Sequence, residues 1–148
     1  MNVHTHSKEL IPRMPQTKST NEAAFQGGKA VQAPTGDEEK ALLCFHLARE
    51  YKASDIILLD VSTFSSFADY FLICSGQSTR QVQGIADNLE RALRDHGLRP
   101  MGVEGRAEGN WVLMDYGTVI IHVFYEPVRH FYDLESLWSE AKRMGGES

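Results

Sequence analysis

Gly109-Asn110-Trp111-Val112-Leu113-Met114-Asp115-Tyr116-Gly117-Thr118-Val119-Ile120-Ile121-His122-Val123-Phe124 is the stretch on which the reading of this chain turns. Two apolar runs, rich in β-branched and aromatic residues, flank a polar break containing Gly117. This predicts a β-hairpin, because glycine supplies the positive φ that a tight turn between antiparallel strands requires. Side chains alternate along a strand, so Trp111, Leu113 and Asp115 share one face and Val112, Met114 and Tyr116 the other. In the second run Val119, Ile121 and Val123 oppose Thr118, Ile120, His122 and Phe124. Each run has one plainly apolar face and one that mixes large hydrophobes with a polar group. Such a mixed face suits either a sealed core layer or half of a binding surface.

Outward from the hairpin, Glu126-Pro127 starts a helix with proline in its first turn. Phe131, Leu134, Leu137, Trp138 and Ala141 are expected on its inner face, with Gly145-Gly146 as its stop. Upstream, Pro100-Met101-Gly102-Val103-Glu104 reads as a short strand. Ser78 and Gln81 form a Ser-x-x-Gln capping box, and Val82, Ile85, Ala86, Leu89 and Leu93 mark the buried stripe of the clearest helix, which stops at Gly97. Tyr70–Ser75 is almost wholly apolar and is expected as a central strand, and Asp55–Val61 as another buried strand. Asp37 reads as the N-cap of a first helix, with Glu38 and Glu39 favoured by the helix dipole and Leu42, Leu43, Phe45, Leu47, Arg49 and Tyr51 at helical spacing. The order is α-β-β-α-β-β-β-α. That is a single α/β domain over residues 37–148, a mixed β-sheet flanked by helices.

Residues 1–36 hold Pro12, Pro15, Gly27, Gly28, Pro34 and Gly36 with sparse, aperiodic apolar residues, and are expected as a disordered extension. His4 and His6 form an HxH pair without a nearby third ligand, so no metal site is expected. The 148 residues carry 15 basic and 20 acidic side chains, of which the extension takes four basic and two acidic. The rest holds 11 against 18, a net charge of −7. An acidic domain argues against non-specific nucleic-acid binding and favours a basic protein partner. Cys44 and Cys74 sit in apolar segments and read as buried free thiols. No apolar run is long enough to span a membrane, and the N-terminus shows no apolar signal region, so a cytoplasmic location is expected.

Catalytic patterns are weak. A strand ending at Ser75-Gly76 before a helix could cradle a phosphate, with Ser78 at the helix start. A nucleotidyltransferase would also need paired carboxylates for magnesium. Glu104 and Asp115 form no Asp-x-Asp pair, and Asp60 precedes the loop. Gly-x-Ser-x-Gly, Cys-x-x-Cys and phosphate-loop motifs are absent. His122, mid-strand among hydrophobes, reads as a hydrogen-bonded core or sheet-face histidine, with contact to a partner as the other reading. Tyr116, Tyr125, His130, Tyr132 and Trp111 cluster in sequence with Arg129 near several acids, a composition that interface centres favour.

Asp69–Gly76, Asn110–Gly117, His122-Val123-Phe124 and Arg129–Trp138 occur in an order that resembles the Iojap / RsfS family of ribosomal silencing factors, over roughly residues 38–143. Asn110 departs from a glycine common there before the tryptophan. The resemblance implies a nucleotidyltransferase-like fold without the catalytic carboxylates, no cofactor and no enzymatic activity. It implies binding to the large ribosomal subunit through ribosomal protein number fourteen, a block to joining of the small subunit, translational repression when nutrients are short, and a part in large-subunit biogenesis. We place the partner contact on Trp111, Asp115, Tyr116, His122, Tyr125, Arg129 and Tyr132. The alternative is a nucleotide-binding or residual nucleotidyltransferase domain using Ser75, Gly76 and Ser78. A homodimer through the hairpin face is compatible with the first reading.

Overall fold

A computed structural model describes residues 33–147. The histidine pair and most of the N-terminal extension lie outside the described residues. The elements are α1 (Asp37–Glu50), β1 (Ser54–Asp60), β2 (Tyr70–Gly76), α2 (Thr79–Asp95), β3 (Gly102–Glu104), β4 (Trp111–Asp115), β5 (Val119–Tyr125), α3 (Glu126–Tyr132), α4 (Leu134–Leu137) and β6 (Lys142–Glu147). The six strands form one mixed sheet in the order β3-β4-β5-β2-β1-β6. Only β2 and β5 run parallel, joined by the crossover that contains α2. No helix among the described residues is long and apolar enough to cross a membrane.

The hairpin forms as the sequence predicts. Trp111 pairs with Phe124 and Asp115 with Ile120, and Gly117 turns the chain at φ 85°. Its alternation divides the core in two. Val112, Met114, Tyr116, Val119, Ile121 and Val123 face α1 and α2, beside Cys44, Leu72, Cys74, Ile85 and Leu89. Trp111, Leu113, Ile120 and Phe124 face the other side, with Leu59, Val61, Ala68, Phe71, Ile73 and Leu134. Both cysteines are free and buried, and burial pushes each thiol up to about 12.

The helix starts follow the sequence in kind, with two shifts. At α2 the Ser78 Oγ accepts from the Gln81 amide at 3.0 Å. Gln81 Oε1 returns to the amide of Gln77, one residue earlier than an ideal capping box. At α1 Asp37 is not the N-cap. Gly36 holds that position, Asp37 is the first helical residue, and Glu39 accepts from the Thr35 amide and hydroxyl.

The C-terminal segment departs from the expected single helix. Asp133 adopts the left-handed conformation at φ 49°, ψ 54°, which breaks the helix into α3 and the one-turn α4. Aspartate tolerates that region better than most residues, and its carboxylate accepts from Ser136 Oγ at 2.6 Å. Beyond α4 the chain forms a sixth strand, antiparallel to β1. Gly145 and Gly146 are strand residues rather than a helix stop: a Cβ at Gly145 would lie 3.1 Å from the Phe45 ring, so glycine lets the strand lie flat on that ring. Phe131 and Leu137, expected inside, are 61% and 75% exposed. Leu134 is buried, and Trp138 and Ala141 pack at the edge of the second core.

Candidate functional site

The second face of the sheet is sealed by an aromatic layer with a polar centre. The Trp111 indole N–H donates to His122 Nδ1 at 3.1 Å. The accepting nitrogen carries no proton, so the proton of the neutral ring sits on Nε2. His122 is fully buried, and burial lowers its pKa to about 3, so the ring stays neutral at physiological pH. Phe71 and the imidazole meet edge to face with ring centroids 4.8 Å apart. Tyr132 packs on Trp111 at 5.2 Å and Trp138 on Phe71 at 5.2 Å, which ties α3 and the turn after α4 to this layer. Among the described residues, His122 Nε2 and the Tyr132 hydroxyl find no hydrogen-bond partner.

A single buried cation anchors the short helices to the strand ends. Arg129 is 6% exposed. Its Nη1 donates to the Asp55 carbonyl and to Ser75 Oγ, both at 2.7 Å. Its Nε and Nη2 donate to Glu135 Oε2 at 3.0 and 2.7 Å, across the break at Asp133. The Asp55 carbonyl is available because the backbone there has φ 49°, where the register of β1 on β2 slips. The planar guanidinium thus ties α3, α4, β1 and β2 at one point, which a lysine could not reproduce. Beside it opens a cleft of about 620 Å³, lined by Asp55, Glu126, Arg129, Asp133, Glu135 and Arg143 among others.

The Ser75-Gly76 end of β2 is committed to packing. Ser75 is fully buried with its hydroxyl on Arg129, and Ser78 caps α2. A Cβ at Gly76 would lie 3.0 Å from the Val82 side chain, so this glycine permits close approach of strand end and helix.

The family model described as "Ribosomal silencing factor during starvation" matches residues 34–148. The chain belongs to this family. It is 44% identical to the ribosomal silencing factor RsfS of Bacillus subtilis (strain 168) over 90 residues, covering 61% of this chain and 76% of that protein. A crystal structure of a Chromobacterium violaceum protein superposes with a TM-score of 0.69 at 35% identity, covering 71% of this chain and 88% of that one. The mouse protein named mitochondrial assembly of ribosomal large subunit protein 1 is 28% identical over 128 residues, covering 84% of this chain and 55% of the mouse protein.

In this chain the seven residues read from the sequence do not form one surface. Trp111, Tyr116, His122 and Arg129 are buried, so as they stand they present nothing to a partner. Asp115, Tyr125 and Tyr132 are half-buried. Asp115 lies at the turn end of the hairpin, where its carboxylate accepts from the Gly117 amide at 2.8 Å. Tyr125 lies at the opposite end, five residues along β5 from Ile120, the partner of Asp115, or about 17 Å by strand rise, with Arg129 and Tyr132 on the helix that follows. Tyr116 faces the α1–α2 side, with its carbonyl accepting from the buried Lys40 ammonium at 2.6 Å. Three large apolar residues that do reach solvent near the second core were missed: Phe64 at 50%, Phe131 at 61% and Leu137 at 75% exposure. Helical spacing concealed Phe131 and Leu137, because a continuous helix would have turned both inward, while Phe64 lies in an aperiodic connection.

Proposed function

We propose that this chain is a non-enzymatic translational repressor that binds the large ribosomal subunit through ribosomal protein number fourteen. Occupying the face that meets the small subunit, it blocks subunit joining when nutrients are short. The observation that carries this reading is the family match over residues 34–148, which takes in every described element. The name of the mouse relative, which refers to large-subunit assembly, favours the large subunit as partner and adds a part in its maturation. A net −7 outside the N-terminal extension suits a basic ribosomal protein better than bare RNA. The internal engagement of Ser75 and Ser78 supports a binding module over a nucleotide-handling enzyme.

Of the seven candidate contact residues, Asp115, Tyr125 and Tyr132 retain the exposure to touch a partner. Trp111, Tyr116, His122 and Arg129 act by holding the surfaces around them. Co-sedimentation of the purified protein with isolated large subunits, small subunits and joined ribosomes tests the function. Binding confined to free large subunits is the expected result. Binding to small subunits, or equal binding to joined ribosomes, contradicts the steric mechanism.

A further inference from the structure

The largest exposed apolar side chains on the second face sit on the elements that close it. Phe131 is on α3, Leu137 ends α4, and Phe64 lies in the connection from β1 to β2, its ring 6.4 Å from that of Trp138. These side chains stand outside a core that Trp111, Phe71, Phe124 and Leu134 already fill, so sealing the sheet does not account for them. Isolated exposed apolar residues are ordinary on protein surfaces; several on one short helical cap are the mark of a contact surface.

The charge around them is mostly negative, with the exposed Lys142 and Arg143 at its border. Residues 126–141 contain Glu126, Asp133, Glu135 and Glu140, and their only arginine or lysine is Arg129, which is buried against Glu135. Asp133 and Glu140 are exposed. The following cation, Lys142, is the strand partner of Asp60, whose carboxyl is held low chiefly by the hydroxyl and amide of Ser62 and to a lesser degree by Lys142. The cap therefore presents apolar side chains among carboxylates, which complements a basic protein surface and repels both RNA phosphate and a second copy of itself. Two helices of seven and four residues have little stability of their own, so the shape of this surface depends on the Arg129 anchor beneath it.

We propose that the cap formed by α3, α4 and Phe64 is the surface on which this protein docks, and that its occupant is a basic protein surface offering an apolar contact. Arg129 is the positioning residue that holds the cap in its docking shape. This rests on the reading of the chain as a large-subunit binder and names the surface that does the binding.

The test measures the affinity of purified large subunits for the wild type, for Phe131→Ser/Leu137→Ser and for Met101→Ser, whose side chain is 58% exposed just before β3 at the far edge of the sheet. Self-association without subunits is followed by sedimentation, and folding by the thermal midpoint. The expected result is a loss of about tenfold or more for the double variant, as for removal of hot-spot anchors. Met101→Ser should bind as the wild type does, with all midpoints alike. Arg129→Lys, which keeps the positive charge, should bind more weakly than the wild type, whereas a role through charge alone predicts wild-type binding. Undiminished binding of the double variant overturns the proposal and leaves the function standing. Loss of self-association with undiminished subunit binding overturns it in favour of a dimer face. A wild type that binds no large subunits removes the functional reading and this surface with it.

Discussion

The two faces of the sheet are closed by different means. On one, α1 and α2 are 14 and 17 residues long. They bring an acidic first turn or a serine cap, and α2 buries Val82, Ile85, Ala86, Leu89 and Leu93 in one stripe. On the other, seven- and four-residue helices are held by the aromatic layer and by one guanidinium with four hydrogen bonds. The first face is stabilised by apolar area spread over many side chains, each of which acts on the stability of the whole domain rather than on one local contact. The second concentrates its anchoring in Arg129 and leaves its outer surface apolar. A region held that way keeps a defined shape while presenting side chains that the core does not use. The proposed docking requires such a surface.

Substitutions separate the two modes. Leu89→Ala, in the fully buried stripe of α2, should lower the unfolding free energy by about 4 kcal/mol in a denaturant titration, within the range for core leucines. It should leave large-subunit affinity unchanged where the protein remains folded. Arg129→Met should cost about 3 kcal/mol, because it leaves Glu135, Ser75 Oγ and the Asp55 carbonyl without their donor. Hydrogen exchange should then show the amides of α3 opening well before those of α2. An Arg129→Met protein whose α3 stays as protected as α2 would break the comparison.

Acid should act on the second face first. The folded-state pKa of His122 is depressed to about 3, below the usual 6.5, so the unfolded chain binds the proton that the native core refuses. Stability is fully present above about pH 6.5 and falls as pH drops toward 3, by about 1.4 kcal/mol per unit once the two pKa values are well separated. Between pH 6 and 4.5 this amounts to about 2 kcal/mol in unfolding titrations, and His122→Leu should flatten the slope in that window. Smaller effects come from the edges. Ser78→Ala removes the cap of α2 and should cost about 1 kcal/mol in thermal unfolding. Leu137→Ser, at 75% exposure, should change the unfolding free energy by less than about 0.5 kcal/mol.

The same contrast explains what was legible in the sequence. The hairpin, the faces of its side chains and the α2 stripe follow from periods of 2 and 3.6 carried by local runs, and local periodicity survives in the fold. The segment after Pro127 has an apolar spacing compatible with one long helix. What breaks it is the left-handed turn at Asp133 and the Arg129–Glu135 bond across it, and neither leaves a periodic trace. Gly145 read as a stop because its reason is the Phe45 ring, about a hundred residues away in the chain. The candidate site suffered the same way. His122 reads from the sequence as a residue among hydrophobes, whereas Trp111 and Arg129 read as parts of a partner surface; all three lie buried, and their burial depends on helices whose path local spacing does not show.

Subunit joining, followed by light scattering as small subunits are mixed with large ones, tests the account most directly. Large subunits preincubated with this protein should fail to join, and the Phe131→Ser/Leu137→Ser variant should restore joining at the same concentration. Joining that proceeds at the normal rate with the wild-type protein bound would contradict the steric account.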